Sequence, residues 1–90
     1  MAKYKIAFKL SAQKELNALP KQEIKRIINR IQKLESNPRP NGCEKLSGQE
    51  LYRIRQGNYR IVYSIYDEEV QISIIKISHR KDVYRDLINR

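Results

Sequence analysis

The sequence predicts an α+β fold, in which two N-terminal helices pack on one face of a small antiparallel sheet of about four strands. Two observations lead to this prediction: a segment with the period of a strand opens the chain, and three further strand-like segments follow a helical region. Helices and strands that are segregated along a chain are typical of the α+β class. With a short C-terminal helix, the expected order is β-α-α-β-β-β-α, within a single domain over residues 1–90.

Residues 3–9 alternate between apolar residues and basic or small ones, which predicts a strand with one buried face. A short helix is expected next, capped by the hydroxyl of Ser11 and ended before Pro20. Its apolar stripe consists of Ala12, Leu16 and Leu19.

A second helix is predicted from Pro20, which suits a first helical turn, to Glu35. Its apolar residues keep helical spacing and are Ile24, Ile27, Ile28, Ile31 and Leu34. The stretch 36–42, SNPRPNG, combines Pro, Asn and Gly and therefore predicts a loop, which residues 43–48 continue.

Residues 51–66 predict a β-hairpin, because apolar and polar residues alternate on both sides of Gly57-Asn58. That dipeptide suits a two-residue type II′ turn, which places Arg55 opposite Arg60. Since residues two apart on a strand share a face, Arg53 is expected beside them. The helices are expected on the other face of the sheet.

The last predicted strand covers residues 70–77, after a turn at residues 67–69. Simple alternation puts Ile74 and Ile77 on opposite faces, so this strand is apolar on both faces near its end. Such a pattern suits a central strand or one covered by a helix. Residues 80–90 are predicted to form the short final helix.

The chain is strongly basic: 19 Lys and Arg against 10 Asp and Glu give a net charge of +9. Such a surface is attracted to polyanions such as nucleic acid. One cysteine, Cys43, excludes an internal disulfide and a zinc site built from several cysteines. No apolar run is long enough for a membrane helix or a signal peptide, so a cytoplasmic protein without membrane contact is expected.

Three arginines on one strand face repel one another, and an anionic ligand would relieve that repulsion. The planar guanidinium group suits phosphate, so this face is predicted to hold a nucleic-acid backbone. If the last strand pairs with residues 59–66, the segment SHRKDVY that follows it can return toward the arginines. The expected catalytic residues are Arg53, Arg55, Arg60, His79, Arg80 and Tyr84, and the expected RNA-binding residues are Lys45, Arg53, Arg55, Arg60 and Lys81.

This set lacks the paired carboxylates of glycosidases and two-metal nucleases, a Ser-His-Asp arrangement and a glycine-rich phosphate loop. It suits RNA cleavage without metal or cofactor, in which the 2′-hydroxyl attacks the adjacent phosphate. Arginines would offset the charge that develops on the phosphate, and an acid–base pair would move the protons. Arginine stays protonated, which leaves Tyr84 and His79 as candidates for the general base.

Three segments resemble the RelE toxins of bacterial and archaeal toxin–antitoxin pairs. They are FKLSAQKELNALPK near the start, KLSGQELYRIRQGNYRIVYSIYDEEV in the middle, and HRKDVY near the end. The resemblance covers nearly the whole chain. It implies a ribosome-dependent endoribonuclease that enters the ribosomal A site and cuts the mRNA codon there, with a sheet and two N-terminal helices as predicted above.

By this resemblance, Arg60 contacts the scissile phosphate, Arg80 stabilises the transition state, and Tyr84 stacks on an mRNA base. Arg53 and Arg55 stand where some family members have lysines. A lysine can be shifted toward base behaviour and an arginine hardly can, so the identity of the general base stays open.

The resemblance also implies a cognate antitoxin that wraps the toxin and inactivates it, and a complex that binds its own promoter DNA through the antitoxin. Two alternatives remain. A ParE-like toxin would have the same fold but act on DNA gyrase, although such toxins generally lack these arginines and the tyrosine after His-Arg. A non-catalytic RNA- or ribosome-binding module would need only the charge.

Overall fold

The computed structural model describes residues 3–46 and 50–80, which form two helices packed against a five-stranded sheet. The elements are β1 (Lys5–Phe8), α1 (Leu10–Asn17), α2 (Lys21–Lys33), β2 (Glu44–Lys45), β3 (Leu51–Gln56), β4 (Tyr59–Tyr66) and β5 (Gln71–His79). The predicted α+β fold is confirmed. The predicted C-terminal helix lies outside the described residues except for Arg80.

The sheet has the strand order β1-β5-β4-β3-β2 and is mixed, so the prediction of a wholly antiparallel sheet is wrong at one strand pair. β1 runs parallel to β5, with Lys5 opposite Gln71 and Phe8 opposite Ile74. An alternating pattern shows which face of a strand is buried, but it does not show the direction of its neighbour. β5 lies between β1 and β4, so it is an interior strand, which is one of the two arrangements expected for it.

The first helix begins two residues before the predicted start, and the second begins one residue after it. Lys9 is the N-cap residue of α1, so Ser11 lies inside the first turn and makes no capping hydrogen bond, contrary to the prediction. Pro20 is the N-cap residue of α2, and its carbonyl accepts the Ile24 N–H at 3.0 Å. Neither described helix has the length and apolarity needed to cross a membrane.

The core lies between the helix pair and one face of the sheet. Its buried apolar residues are Ala12, Leu16, Ile27, Ile31, Leu34, Tyr52, Ile54, Ile61, Tyr63, Ile72, Ile74 and Ile77. The predicted stripes of both helices supply the first five of these. Burial of such side chains is the main force that holds the helices on this face.

The β3–β4 hairpin has the predicted register, with Gln56 opposite Tyr59 and Arg55 opposite Arg60. Gly57 has φ = 61°, whereas Val70 is the one described non-glycine residue with positive φ. A positive φ at the first central residue alone defines the type II′ turn, which is therefore confirmed.

A β-bulge interrupts the pairing of β4 with β5. Val62 lies opposite Lys76 and Tyr63 lies opposite Ile74, which leaves Ile75 without a counterpart. The extra residue reverses the alternation, so Ile77 returns to the core face, where it is only 3% exposed. The prediction that Ile77 faces away from Ile74 is therefore wrong.

A polar cluster ties the loop 36–43 to the sheet. Arg39 donates to both carboxylate oxygens of Asp67, with the shorter contact at 3.0 Å, and Tyr4 donates to the same carboxylate at 2.8 Å. The buried hydroxyl of Tyr63 donates to the Pro38 carbonyl at 2.7 Å, and its oxygen lies 3.3 Å from Cys43 Sγ. The loop is therefore fixed by hydrogen bonds at two separate points.

Candidate nucleic-acid interface

Arg53, Arg55 and Arg60 lie on the same side of the sheet, and this side is called the arginine face below. Arg55 lies opposite Arg60 and Arg53 lies opposite Val62 in the β3–β4 register. The intervening residues, Ile54 and Ile61, are fully buried toward the helices. Strand alternation therefore turns the arginines away from the core, as the sequence predicts.

Arg53 has a partner in the neighbouring strand. Its guanidinium donates to a carboxylate oxygen of Glu44 at 2.8 Å, and the two residues are directly opposite in the β2–β3 pairing. The Arg53 side chain is only 25% exposed. Glu44 is not among the residues predicted from the sequence, because a two-residue strand such as β2 leaves no alternating pattern to detect.

The Arg60 position is unusual in its hydrogen bonding. Arg60 is half-buried, and its Nε is buried with no hydrogen-bond partner in the described part of the chain. Ser78 lies opposite Arg60 on β5, and its buried Oγ is also unpartnered there. Buried polar atoms are nearly always satisfied, so two exceptions at one cross-strand pair mark a candidate functional position.

His79 is on the other side of the sheet. It lies opposite Tyr59, and the two rings meet edge to face with 5.3 Å between their centroids. Since Ser78 faces the arginines, the next residue along the strand faces the helix side. The structure therefore does not bring His79 onto the arginine face, although it stands at the same end of the sheet.

Arg80 follows β5 and lies beside the hairpin turn. Its backbone N–H donates to the Asn58 carbonyl at 2.8 Å, and Arg80 is exposed. The Arg55–Arg60 pair lies one position from the same turn. Arg80 is thus in the same region of the sheet as the arginine pair.

Lys45 is on the outer strand and lies opposite Tyr52, a core residue, so it is not on the arginine face. Its ammonium group is 3.7 Å from a Glu50 carboxylate oxygen, which is a loose and exposed ion pair. Lys81 and Tyr84 lie outside the described residues. Within residues 3–46 and 50–80, no group of three or more His, Cys, Asp or Glu side chains could hold a metal ion.

The arginine face can offer several cationic hydrogen-bond donors to a phosphate chain. Arg55 and Arg80 are exposed, Arg60 is half-buried beside an unpartnered serine, and Arg53 is available if it leaves Glu44. Guanidinium groups bind phosphate oxygens through paired N–H donors. The arrangement can therefore hold a nucleic-acid backbone and stabilise negative charge on one of its phosphates.

Comparison with protein families identifies a model that matches most of the chain. Residues 6–84 match the family described as ParE toxin of type II toxin–antitoxin system, parDE. The match begins inside β1 and spans every later element of the described fold through β5.

Two relatives resemble the chain over most of its length. A Methanocaldococcus jannaschii protein named as the toxin RelE1 is 34% identical over 77 residues, which cover 81% of this chain and 86% of that protein. Toxin RelG of Mycobacterium tuberculosis is 29% identical over 86 residues, covering 91% of this chain and 97% of that protein.

The fold is also found in solved structures. The RelE chain in the archaeal RelE–RelB complex of Pyrococcus horikoshii OT3 superposes with a TM-score of 0.78 and 32% sequence identity. The superposition covers 87% of this chain and 96% of that one. The helices, the sheet and their connections are therefore shared with that structure.

Proposed function

Since this chain belongs to the RelE/ParE family of toxins from type II toxin–antitoxin systems, we propose that it is an endoribonuclease that cuts mRNA in the ribosomal A site. The observation that carries the proposal is the arginine face, with Arg55 opposite Arg60 and Arg80 beside the same turn. Fixed guanidinium groups at one phosphate are suited to stabilising the charge of a phosphoryl-transfer transition state.

The proposed reaction uses the RNA's own 2′-hydroxyl. Its oxygen forms a bond to the adjacent phosphorus while the bond to the 5′-oxygen of the next nucleotide breaks, which leaves a cyclic phosphate and a free 5′-hydroxyl. Arg60 and Arg80 offset the charge on the non-bridging oxygens. A general base takes the 2′-proton and an acid protonates the leaving oxygen. Tyr84 is the candidate for one of these roles, whereas His79, the other candidate from the sequence, faces the helix side of the sheet and is set aside. The reaction needs no metal or cofactor.

We assign the positioning of the substrate to the ribosome. The arginine face is an open sheet surface and holds RNA through charge. Alignment of the attacking hydroxyl with the phosphate lowers the barrier only when the RNA is held in one conformation. A codon bound in the ribosome is already held in one conformation.

A cognate antitoxin is the proposed protein partner, because the similar Pyrococcus horikoshii toxin was crystallised with RelB. With a net charge of +9, this chain favours an antitoxin segment that is acidic and amphipathic. Promoter DNA would be bound through the antitoxin in the complex.

A ParE-like toxin that acts on DNA gyrase is the second candidate, since the matching family model is that of ParE toxins. The named relatives RelE1 and RelG favour the first candidate. The arginine face favours it as well, because inhibition of a protein target does not require clustered phosphate-binding groups.

Primer extension on mRNA in a translating extract tests the proposal, with wild type compared with an Arg60→Ala, Arg80→Ala double variant. Wild type should give new RNA ends inside A-site codons and the double variant should give none. An Arg26→Ala, Lys33→Ala variant removes the same charge from α2 and should cut like wild type.

Cutting by the Arg60→Ala, Arg80→Ala variant at the wild-type rate would remove the arginines from the mechanism. If wild type cuts nothing, gyrase supercoiling assays and ribosome binding distinguish the two remaining functions. Rapid cutting of free RNA would contradict the role given to the ribosome.

A further inference from the structure

A pocket of about 450 Å³ lies at the end of the sheet far from the hairpin turn. Its lining residues are Glu50, Leu51, Ser64, Ile65, Tyr66 and Ile75. Leu51 lies opposite Ser64 in the β3–β4 register, and both alternate with core residues, so they open onto the arginine face. The pocket and the arginines therefore share one surface.

The walls of this pocket are mainly apolar. Ile75 is the extra residue of the β-bulge, and it lines the pocket instead of joining the core cluster. Tyr66 is 47% exposed. Tyr66 and Leu10 are the two exposed large hydrophobic residues in the described part of the chain. An aromatic ring and aliphatic walls suit a flat ligand ring, which can stack and exclude water.

One polar group is buried in the lining. Ser64 is 6% exposed, and its Oγ has no hydrogen-bond partner among the described atoms. A buried hydroxyl without a partner is costly, and a ligand with a hydrogen-bonding edge would remove that cost. An aliphatic side chain from a protein partner could not do so. A nucleobase has both a flat face for stacking and polar atoms at its edge.

The pocket is also at a suitable distance from the arginines. Leu51 and Ser64 are four positions along the strands from Arg55 and Arg60, which corresponds to about 13 Å. Extended single-stranded RNA can span this distance with its phosphates on the arginines. Glu50 at the rim is 86% exposed and repels phosphate, so a base rather than the backbone is expected to enter.

We propose that this pocket binds one nucleobase of the RNA strand, at a nucleotide beside the cleaved bond, through stacking on Tyr66 and a hydrogen bond to Ser64. The proposal rests on the proposed function, because it needs RNA along the arginine face. It makes the pocket a determinant of sequence preference, and the preferred base is the one whose edge pairs best with a hydroxyl.

Fluorescence anisotropy with short 2′-O-methyl RNA oligonucleotides tests this proposal, since the methyl group blocks the attacking oxygen and separates binding from cleavage. An abasic site is placed at each position in turn. For wild type, one position should show a loss of affinity of about 5- to 150-fold, the range expected for one stacked base. For Tyr66→Ala and Ser64→Ala, the intact oligonucleotide should bind more weakly than it binds wild type. An abasic site at the sensitive position should then cause no further loss of affinity.

Leu10→Ala is the matched control, because Leu10 is the other exposed large hydrophobic residue and is the first residue of α1, away from the pocket lining. For Leu10→Ala, the abasic site should reduce RNA affinity by as much as it does for wild type. The abasic series on wild type requires no change to the protein, so a variant that fails to fold does not weaken the test.

Three outcomes would overturn the proposal. If no abasic position costs affinity while Arg55→Ala, Arg60→Ala abolishes binding, the arginine face binds RNA but the pocket does not. If Tyr66→Ala and Ser64→Ala keep the wild-type penalty, an apolar side chain of a protein partner becomes the occupant to test. If wild type neither binds these oligonucleotides nor cuts in the translating extract, the proposed function fails as well.

Discussion

The guanidinium of Arg53 is bound by the carboxylate of Glu44 at 2.8 Å, so one member of the arginine face is already neutralised within the protein. An RNA phosphate must compete with that carboxylate for Arg53. We therefore expect Glu44→Gln to strengthen RNA binding by about 2- to 5-fold, in line with the energy of an exposed ion pair.

The salt dependence of binding checks the Glu44 prediction. Freeing one cation should steepen the slope of log affinity against log salt concentration by up to about 0.7 for a single strand. Glu23→Gln removes the carboxylate that pairs with Arg26 on α2 and should change neither quantity. Weaker binding by Glu44→Gln would mean that the carboxylate orients Arg53 for RNA instead of competing for it.

Tyr63→Phe should lower the free energy of unfolding by about 1–3 kcal/mol, because it leaves the Pro38 carbonyl without the donor that reaches it at 2.7 Å. Burial raises the pKa of the Tyr63 phenol, in keeping with a neutral hydroxyl that donates this hydrogen bond. Urea unfolding measures the difference. Tyr66→Phe at an exposed position should change stability by less than about 0.5 kcal/mol, and an equal loss at both sites would contradict the argument.

The contribution of Asp67 to stability should depend on pH. Hydrogen bonds from Arg39 and then Tyr4 hold the pKa of the Asp67 carboxyl below its ordinary value of 3.8. A carboxyl whose pKa is lower in the folded state stabilises the fold above its unfolded pKa, and this contribution is lost as pH falls through the folded value.

Wild type and Asp67→Asn, compared by urea unfolding over a pH series, test that dependence. Wild type should be the more stable protein at neutral pH, and the gap should narrow as pH falls below 3.8. Asp67→Asn in an Arg39→Ala background should show a smaller gap at neutral pH. A gap that does not vary with pH would show that the carboxylate charge is not involved.

Val70 offers a stabilising substitution. It has φ = 52°, a left-handed conformation that costs a β-branched residue roughly 1–2 kcal/mol. Asparagine tolerates this conformation, so Val70→Asn should raise the free energy of unfolding by about 1 kcal/mol, measured by thermal or urea unfolding. The same change at Val62, in the extended β4 strand, should destabilise the protein. A lower free energy of unfolding for both variants would contradict this. It would show that packing of the Val70 side chain stabilises the protein by more than its left-handed conformation destabilises it.

The sequence predicts the parts of the fold that depend on near neighbours. The Gly57-Asn58 turn fixes the β3–β4 register, and that register alone puts Arg55 opposite Arg60. The core stripe of α2 follows from helical spacing in the same way.

The features that were not predicted depend on residues far apart in the chain. β1 and β5 are brought together by the packing of the helices between them, and nothing local to either strand indicates a parallel pair. The bulge at Ile75 changes the face of every later residue, so His79 could not be placed from alternation alone. The Glu44–Arg53 contact arises only when β2 pairs with β3, and the pocket at Ser64 arises only when β3, β4 and β5 are assembled.

The β1–β5 pairing also affects how the protein is made. The first strand to leave a ribosome must wait for the last described strand before either completes its hydrogen bonds, and such long-range pairing is slow to form. The hairpin that carries Arg55 and Arg60 is local, but its strand β4 pairs with β5 and its core face packs against the helices. A nascent or prematurely ended chain that lacks β5 therefore cannot support the arginine face, which delays any toxicity until synthesis has passed that strand.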